Sequence, residues 1–160
     1  MIAAPIVEFL RRHDVPFVTM THRLAFTAQE EAAMAHVPGR SWAKVVVCVI
    51  DAEPVLAVVP AHFRVDVELL RRLAGGLTAR LATEREFAHL YPGCELGAMP
   101  PFGPLYGQRV FVDDSLARDQ EIVFNGGTHT DAIRMRYADF VTLVQPVVGE
   151  FAFGPGRLVH

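Results

Sequence analysis

Lysine is almost absent from this chain. Fifteen basic residues occur in 160 positions, and Lys44 is the only one of them that is not arginine. Cysteine is nearly as scarce. Cys48 and Cys94 are the whole supply, and Cys48 lies inside an apolar run, so no disulfide framework is implied. Long hydrophobic runs are missing as well. The longest, VVVCVI at 45–50, is strand-sized, well short of the roughly 18–20 residues that span a bilayer. In MIAAPIVEFLRRHD the arginines follow the apolar part, the reverse of a signal peptide's order. A cytoplasmic protein with no membrane partner is therefore expected. GxGxxG, Walker, G-x-S-x-G, HxxxH and Cys-x-x-Cys patterns are all lacking. Nucleotide cofactors, serine and cysteine hydrolases and metal centres lose their parts, so no cofactor and no metal are expected.

What remains is the composition of a globular protein, 51% hydrophobic and 21% charged with a net charge of −3. That charge excludes a surface that coats nucleic acid broadly. The cluster Arg64, Arg71 and Arg72 allows a local phosphate contact, although a solvated helix face explains it equally well. The length suits one domain over 1–160, with no internal repeat and no linker.

Apolar positions at Ile6, Phe9 and Leu10 predict a helix over 3–13, and PFVTM at 16–20 predicts a short strand. Thr27 and Glu30 form a capping-box pattern for a helix closed by Pro38-Gly39. AKVVVCVI (43–50) and VLAVVP (55–60) are β-branched runs joined by DAEP, which predicts a hairpin. Asp66 caps a helix that stops at Gly75-Gly76, a strand follows at 77–82, and Thr83 with Glu86 opens the next helix. Strands at 108–113, 121–125 and 131–137 precede a last helix at 138–144, and residues 146–160 form a tail without assignment. Hairpins interleaved with short helices predict an α/β fold on a mixed sheet.

Three places carry candidate chemistry. Lys44 opens a strand that should be buried, where charge is costly. A compact ammonium suits a point contact with a phosphate or carbonyl oxygen, while a strand-edge lysine can also simply extend its stem to water. ELGAMPPFGPLYG at 95–107 alternates backbone freedom at Gly97, Gly103 and Gly107 with rigidity at Pro100, Pro101 and Pro104. Tyr106 is its best nucleophile, so main-chain groups are its useful chemistry, unless it is a plain connector. NGGTHTD at 125–131 sets Gly126 and Gly127 beside Thr128, His129 and Thr130, either as a backbone donor nest or as an ordinary turn. Cys48 reads as strand core.

Lys44 before a β-run, G-x-x-x-P-F-G at 97–103 and the Gly-Gly turn at 126–130 form an ordered set. The set resembles the YbaK/EbsC family, free-standing aminoacyl-tRNA deacylases related to the editing domain of prolyl-tRNA synthetase. HRLAFTAQEEA, LLRRLAG, ARLATEREF and VFVDDSL extend the resemblance to about residue 145. It implies a single domain with a mixed, barrel-like sheet among short helices, and hydrolysis without a metal or protein nucleophile. In that reading Lys44 engages the terminal phosphate or substrate oxygens, and Gly97, Pro100, Pro101, Phe102 and Gly103 line the pocket. Gly126, Gly127, Thr128, His129 and Thr130 form the opposing wall, with Lys44, Gly97 and His129 as the catalytic group. The implied activity is trans-editing: removal of a small amino acid from mischarged tRNA, tRNA(Pro) first among candidates. The partners are the aminoacyl-tRNA acceptor end and, transiently, an aminoacyl-tRNA synthetase. The alternative from another class is a non-catalytic module that binds an aminoacyl or nucleotide ligand or a partner protein.

Overall fold

A computed structural model describes residues 4–21 and 42–157. The predicted helix between Thr27 and Pro38 lies outside the described residues. Helix α1 (Ala4–Arg12) leads into β1 (Phe17–Thr21). The predicted hairpin forms from β2 (Ala43–Ile50) and β3 (Glu53–Pro60). Its turn is tighter than the four residues expected, because Ile50 already pairs with Glu53. Only Asp51 and Ala52 turn, both left-handed with φ of 49° and 69°, as a two-residue hairpin with right-twisted strands demands. After β4 (Arg64–Val65), helix α2 (Val67–Ala74) starts on the Asp66 side chain and stops at left-handed Gly75. Strand β5 (Ala79–Leu81) and helix α3 (Glu84–Phe87) follow, the latter with the complete Thr83–Glu86 capping box. Then come β6 (Val110–Asp113), β7 (Glu121–Asn125), β8 (Asp131–Arg136) and α4 (Tyr137–Val144).

A five-stranded mixed sheet in the order β5-β2-β3-β6-β9, the last strand being Val147–Gly149, carries apolar layers on both faces. On one face Val47, Leu56, Val58 and Val112 meet Ile6, Leu10, Phe102, Phe124 and Phe140. On the other, Cys48, Val55, Ala57 and Val59 pack against Leu70, Phe111 and Phe151. Burial on both sides explains why β2 and β3 read as continuous apolar runs instead of alternating ones. A three-stranded antiparallel sheet, β1-β8-β7, meets the larger one where Trp42 bridges Val123 in parallel. The described strands thus make a mixed sheet system joined at a seam, with β5 and β9 at the ends of the larger sheet, and not a closed barrel.

The tail belongs to this fold. β9 (Val147–Gly149) runs parallel to β6, and β10 (Ala152–Phe153) pairs with β4.

Candidate functional site

The glycine-proline loop begins with a tight turn. The Ala98 N–H donates to the Glu95 carbonyl at 3.0 Å, and Gly97 at its third position has φ 84°. A type II turn needs positive φ there, which glycine accepts without strain. Beyond the turn the loop is anchored. Phe102 is fully buried, with ring centroids 5.8, 5.4 and 5.5 Å from Phe9, Phe124 and Phe140. A Cβ on Gly103 would fall 2.1 Å from the Gln108 carbonyl oxygen, so no side chain fits. Pro100 and Pro101 are buried, whereas Gly97 is exposed. Gly97 faces outward with Glu95 and Leu96, and Phe102 and Gly103 hold the loop in place.

The loop is stitched to the turn after β7. The Glu95 N–H donates to the Gly127 carbonyl at 2.7 Å, and the Gly127 N–H donates to the Ala98 carbonyl at 2.9 Å. The Glu95 carboxylate accepts the His129 backbone N–H at 2.7 Å. The His129 ring closes the set, Nε2 standing 2.8 Å from the Leu96 carbonyl oxygen. A carbonyl only accepts, so Nε2 carries the proton in this contact. That nitrogen positions the loop and is not free to take a proton from a nucleophile. Gly97 and His129 are direct neighbours: a Cβ on Gly97 would lie 3.8 Å from the His129 ring. The two segments that sequence places thirty residues apart are one wall.

Asp131 fixes the far end of the turn. Its carboxylate accepts Thr128 Oγ1 at 2.7 Å and Thr21 Oγ1 at 3.2 Å, and Thr128 Oγ1 also stands 3.3 Å from Thr130 Oγ1. Thr128 and Thr130 therefore shape the turn through each other and Asp131.

Lys44 reaches this region through strand register. Trp42 bridges Val123, so two residues on, Lys44 runs at the level of Asn125, the last residue before Gly126. Alternation along β2 puts Lys44 on the same face as Trp42, with Val59 opposite it on β3. Burial pulls the ammonium pKa below the ordinary lysine value, and the Arg64 guanidinium pulls it further in the same direction. Among the described residues no carboxylate pairs with it. A half-buried cation beside a second cation, with no anion paired to it among the described residues, can accept one from outside. Cys48, two turns of the pleat further along, has its thiol pushed up to about 12 by burial and is core.

Glu95, Asp131 and Asn125 were not among the residues singled out from sequence, although each borders a quoted motif. An acidic residue next to a glycine-rich stretch was the available signal. Among the described residues no cluster of His, Cys, Asp and Glu could hold a metal ion, and no helix is long and apolar enough to cross a membrane.

Comparison with known proteins agrees with this construction. Residues 22–143 match the family model described as an aminoacyl-tRNA editing domain. A curated relative, the multifunctional Ser/Thr-tRNA deacylase ProXp-y of Escherichia coli K12, is 28% identical over 152 residues, covering 91% of this chain and 90% of its own. A crystal structure of a protein assigned as a trans-editing enzyme for prolyl tRNA synthetase superposes with a TM-score of 0.77 at 25% identity, over 95% of this chain and 97% of that one. The hypothetical protein APE2540 shares the fold, with a TM-score of 0.82 at 20% identity over 92% and 99% of the two chains. The resemblance read from Lys44, the glycine-proline loop and the Gly-Gly turn holds, and this chain belongs to the aminoacyl-tRNA editing-domain family of aminoacyl-tRNA hydrolases.

Proposed function

We propose that this chain is an editing enzyme that hydrolyses the ester of serine or threonine on tRNA. The carrying observation is the exposed Gly97 turn, which is locked to the 126–129 turn by four hydrogen bonds. Among the described residues the Gly97 N–H has no partner. It is a preorganised donor for the oxygen that becomes negative as the ester carbonyl is attacked. Lys44 holds the terminal phosphate and so orients the ester against Gly97. Water forms the new bond to the carbonyl carbon, and the vicinal ribose hydroxyl can orient that water by a hydrogen bond. The bond to the ribose oxygen breaks, that oxygen takes a proton, and the amino acid leaves as a carboxylate. The protein's contribution is position and polarisation. The choice of serine and threonine is supported by the curated relative's name, which refers to those two amino acids. A transient contact with an aminoacyl-tRNA synthetase, by which mischarged tRNA would be handed over, is part of the same reading.

The test is deacylation of Ser-tRNA, Thr-tRNA and Ala-tRNA(Pro), with a seryl methyl ester alongside, each with and without EDTA. Turnover of the seryl and threonyl substrates, unchanged by EDTA, is expected. Turnover of alanyl-tRNA(Pro) alone would replace the substrate assignment, and loss of all turnover with EDTA would overturn the metal-free mechanism.

A further inference from the structure

We propose that Asn125 selects the amino acid, its carboxamide oxygen accepting a hydrogen bond from the side-chain hydroxyl of the bound seryl or threonyl group. The proposal rests on the serine and threonine reading above. Asn125 is 9% exposed, and its Oδ1 is buried without any hydrogen-bond partner. Buried polar atoms are nearly always paired, so each exception asks for a reason. The other unpaired buried side-chain atoms include Tyr137 Oη and Asp139 Oδ2 on α4. Asn125 alone among them precedes the Gly126-Gly127 turn and runs level with Lys44. Its cross-strand partner is Ala132, whose own partner on β1 is Met20, and Val123 and Trp42 share that face. Arg134, opposite Val123 on β8, lies on that face too, so a single neutral acceptor stands among apolar groups, the Trp42 indole and one guanidinium.

Two donors of an aminoacyl group compete for such an acceptor, the α-ammonium and a side-chain hydroxyl. The ammonium would bring a further positive charge into a region that already holds Lys44 and Arg64, with one neutral oxygen to offset its lost hydration. The hydroxyl is neutral and needs only one acceptor. A site that hydrogen-bonds a substrate hydroxyl rejects the analogue lacking it far more strongly than an apolar pocket separates methylenes. Alanine, which lacks the hydroxyl, leaves Oδ1 unpaired.

One tRNA charged with serine and with alanine tests this, using wild type, Asn125→Leu and Asn125→Ala. The serine-to-alanine ratio of kcat/KM should fall about tenfold or more in both variants. Melting of Asn125→Leu should stay at or above the wild-type temperature, because no internal bond is lost. Binding of non-hydrolysable 3′-serylamino and 3′-alanylamino adenosine gives the second measurement: wild type should prefer the seryl compound and the variants should not. Equal losses on both substrates would overturn the proposal, assigning Asn125 a structural role or a contact with the common ammonium. So would a wild type that binds both analogues equally. If Asn125→Leu does not fold, the ratio in Asn125→Ala decides. A wild type that prefers the seryl analogue yet hydrolyses neither seryl- nor threonyl-tRNA would overturn the enzymatic reading and leave the Asn125 contact supported.

Discussion

The Glu95 carboxylate accepts the backbone N–H of His129 at 2.7 Å, across 34 residues of chain. The His129 ring in turn bonds to Leu96, so each residue holds the other's loop. Removing the carboxylate in Glu95→Ala leaves two main-chain bonds and the His129 ring contact to keep the turns together. A displacement of about 1 Å at the reacting ester costs on the order of a hundredfold in rate. We expect kcat/KM for the deacylation to fall tenfold to about a hundredfold in Glu95→Ala. Glu95→Gln, which keeps an acceptor oxygen, should recover most of the loss. Near-wild-type turnover by folded Glu95→Ala would show that the main-chain bonds and the His129 ring position Gly97 without the carboxylate.

Lys44→Arg should be nearly as damaging to turnover as Lys44→Ala. Charge alone does not explain the residue, since arginine fills every other basic position of the chain. The half-buried ammonium stands beside Val59 and Trp42 on one strand face, near Arg64. A planar guanidinium is wider than an ammonium and would be forced against a second guanidinium. Single-turnover deacylation, with thermal melting as the folding control, measures the effect. Full activity in Lys44→Arg would reduce the role to charge, and full activity in Lys44→Ala would remove Lys44 from the mechanism.

The same lysine sets an alkaline limit. Burial and then Arg64 favour the neutral amine, so its pKa lies below the ordinary lysine value. The protonated form is the one that holds a phosphate. Rising pH therefore removes the charge earlier than for an exposed lysine, and kcat/KM should decline on an alkaline limb displaced downward. The limb in kcat should lie higher, because a bound anion favours the ammonium. Rates corrected for spontaneous ester hydrolysis give both profiles. A kcat/KM profile flat to the ordinary lysine range would contradict the assignment.

Much of this was legible in the residues. The β-branched runs at 43–50 and 55–60, the Asp66 and Thr83 caps and the Gly75 stop each have a local physical cause and each forms, the second strand starting two residues early at Glu53. The pairing of the 95–98 turn with the 126–129 turn was not legible: two of its bonds join main-chain groups, which leave no trace in residue type, and the Glu95 and His129 side chains find partners 34 and 33 residues away. Phe102 reads from its motif as pocket lining, yet its ring lies among Phe9, Phe124 and Phe140. An aromatic residue beside glycine carries no mark of which side it faces. The tail was opaque for a similar reason. Its strands are only three and two residues long, too short for a period to show.

That tail supplies the last prediction. Asp113 is fully buried at the end of β6, and its carboxylate accepts the Phe151 and Ala152 N–H groups, both at 3.0 Å. Arg157 closes the arrangement, with Nη1 2.9 Å from Asp113 and Nη2 2.6 Å from Asp114, its guanidinium 5.7 Å from the Phe63 ring centre. Arg157 is 15% exposed on its side chain, so water screens the pair little. Taking away one partner of a buried pair leaves the other charge without compensation, at a cost of about 3–5 kcal/mol. The Phe151, Ala152 and Ser115 N–H groups and the Ser115 hydroxyl still solvate Asp113, which places Arg157→Ala toward the lower figure, about 3 kcal/mol. Urea unfolding should show the midpoint falling with little change in slope. At 25 °C, below the transition, the folded variant should deacylate at the wild-type rate, because β6 and the tail lie outside the Gly97 and His129 turns. A loss of activity larger than the unfolded fraction accounts for would tie the tail to the site, and an unchanged midpoint would show that the buried pair adds nothing to stability.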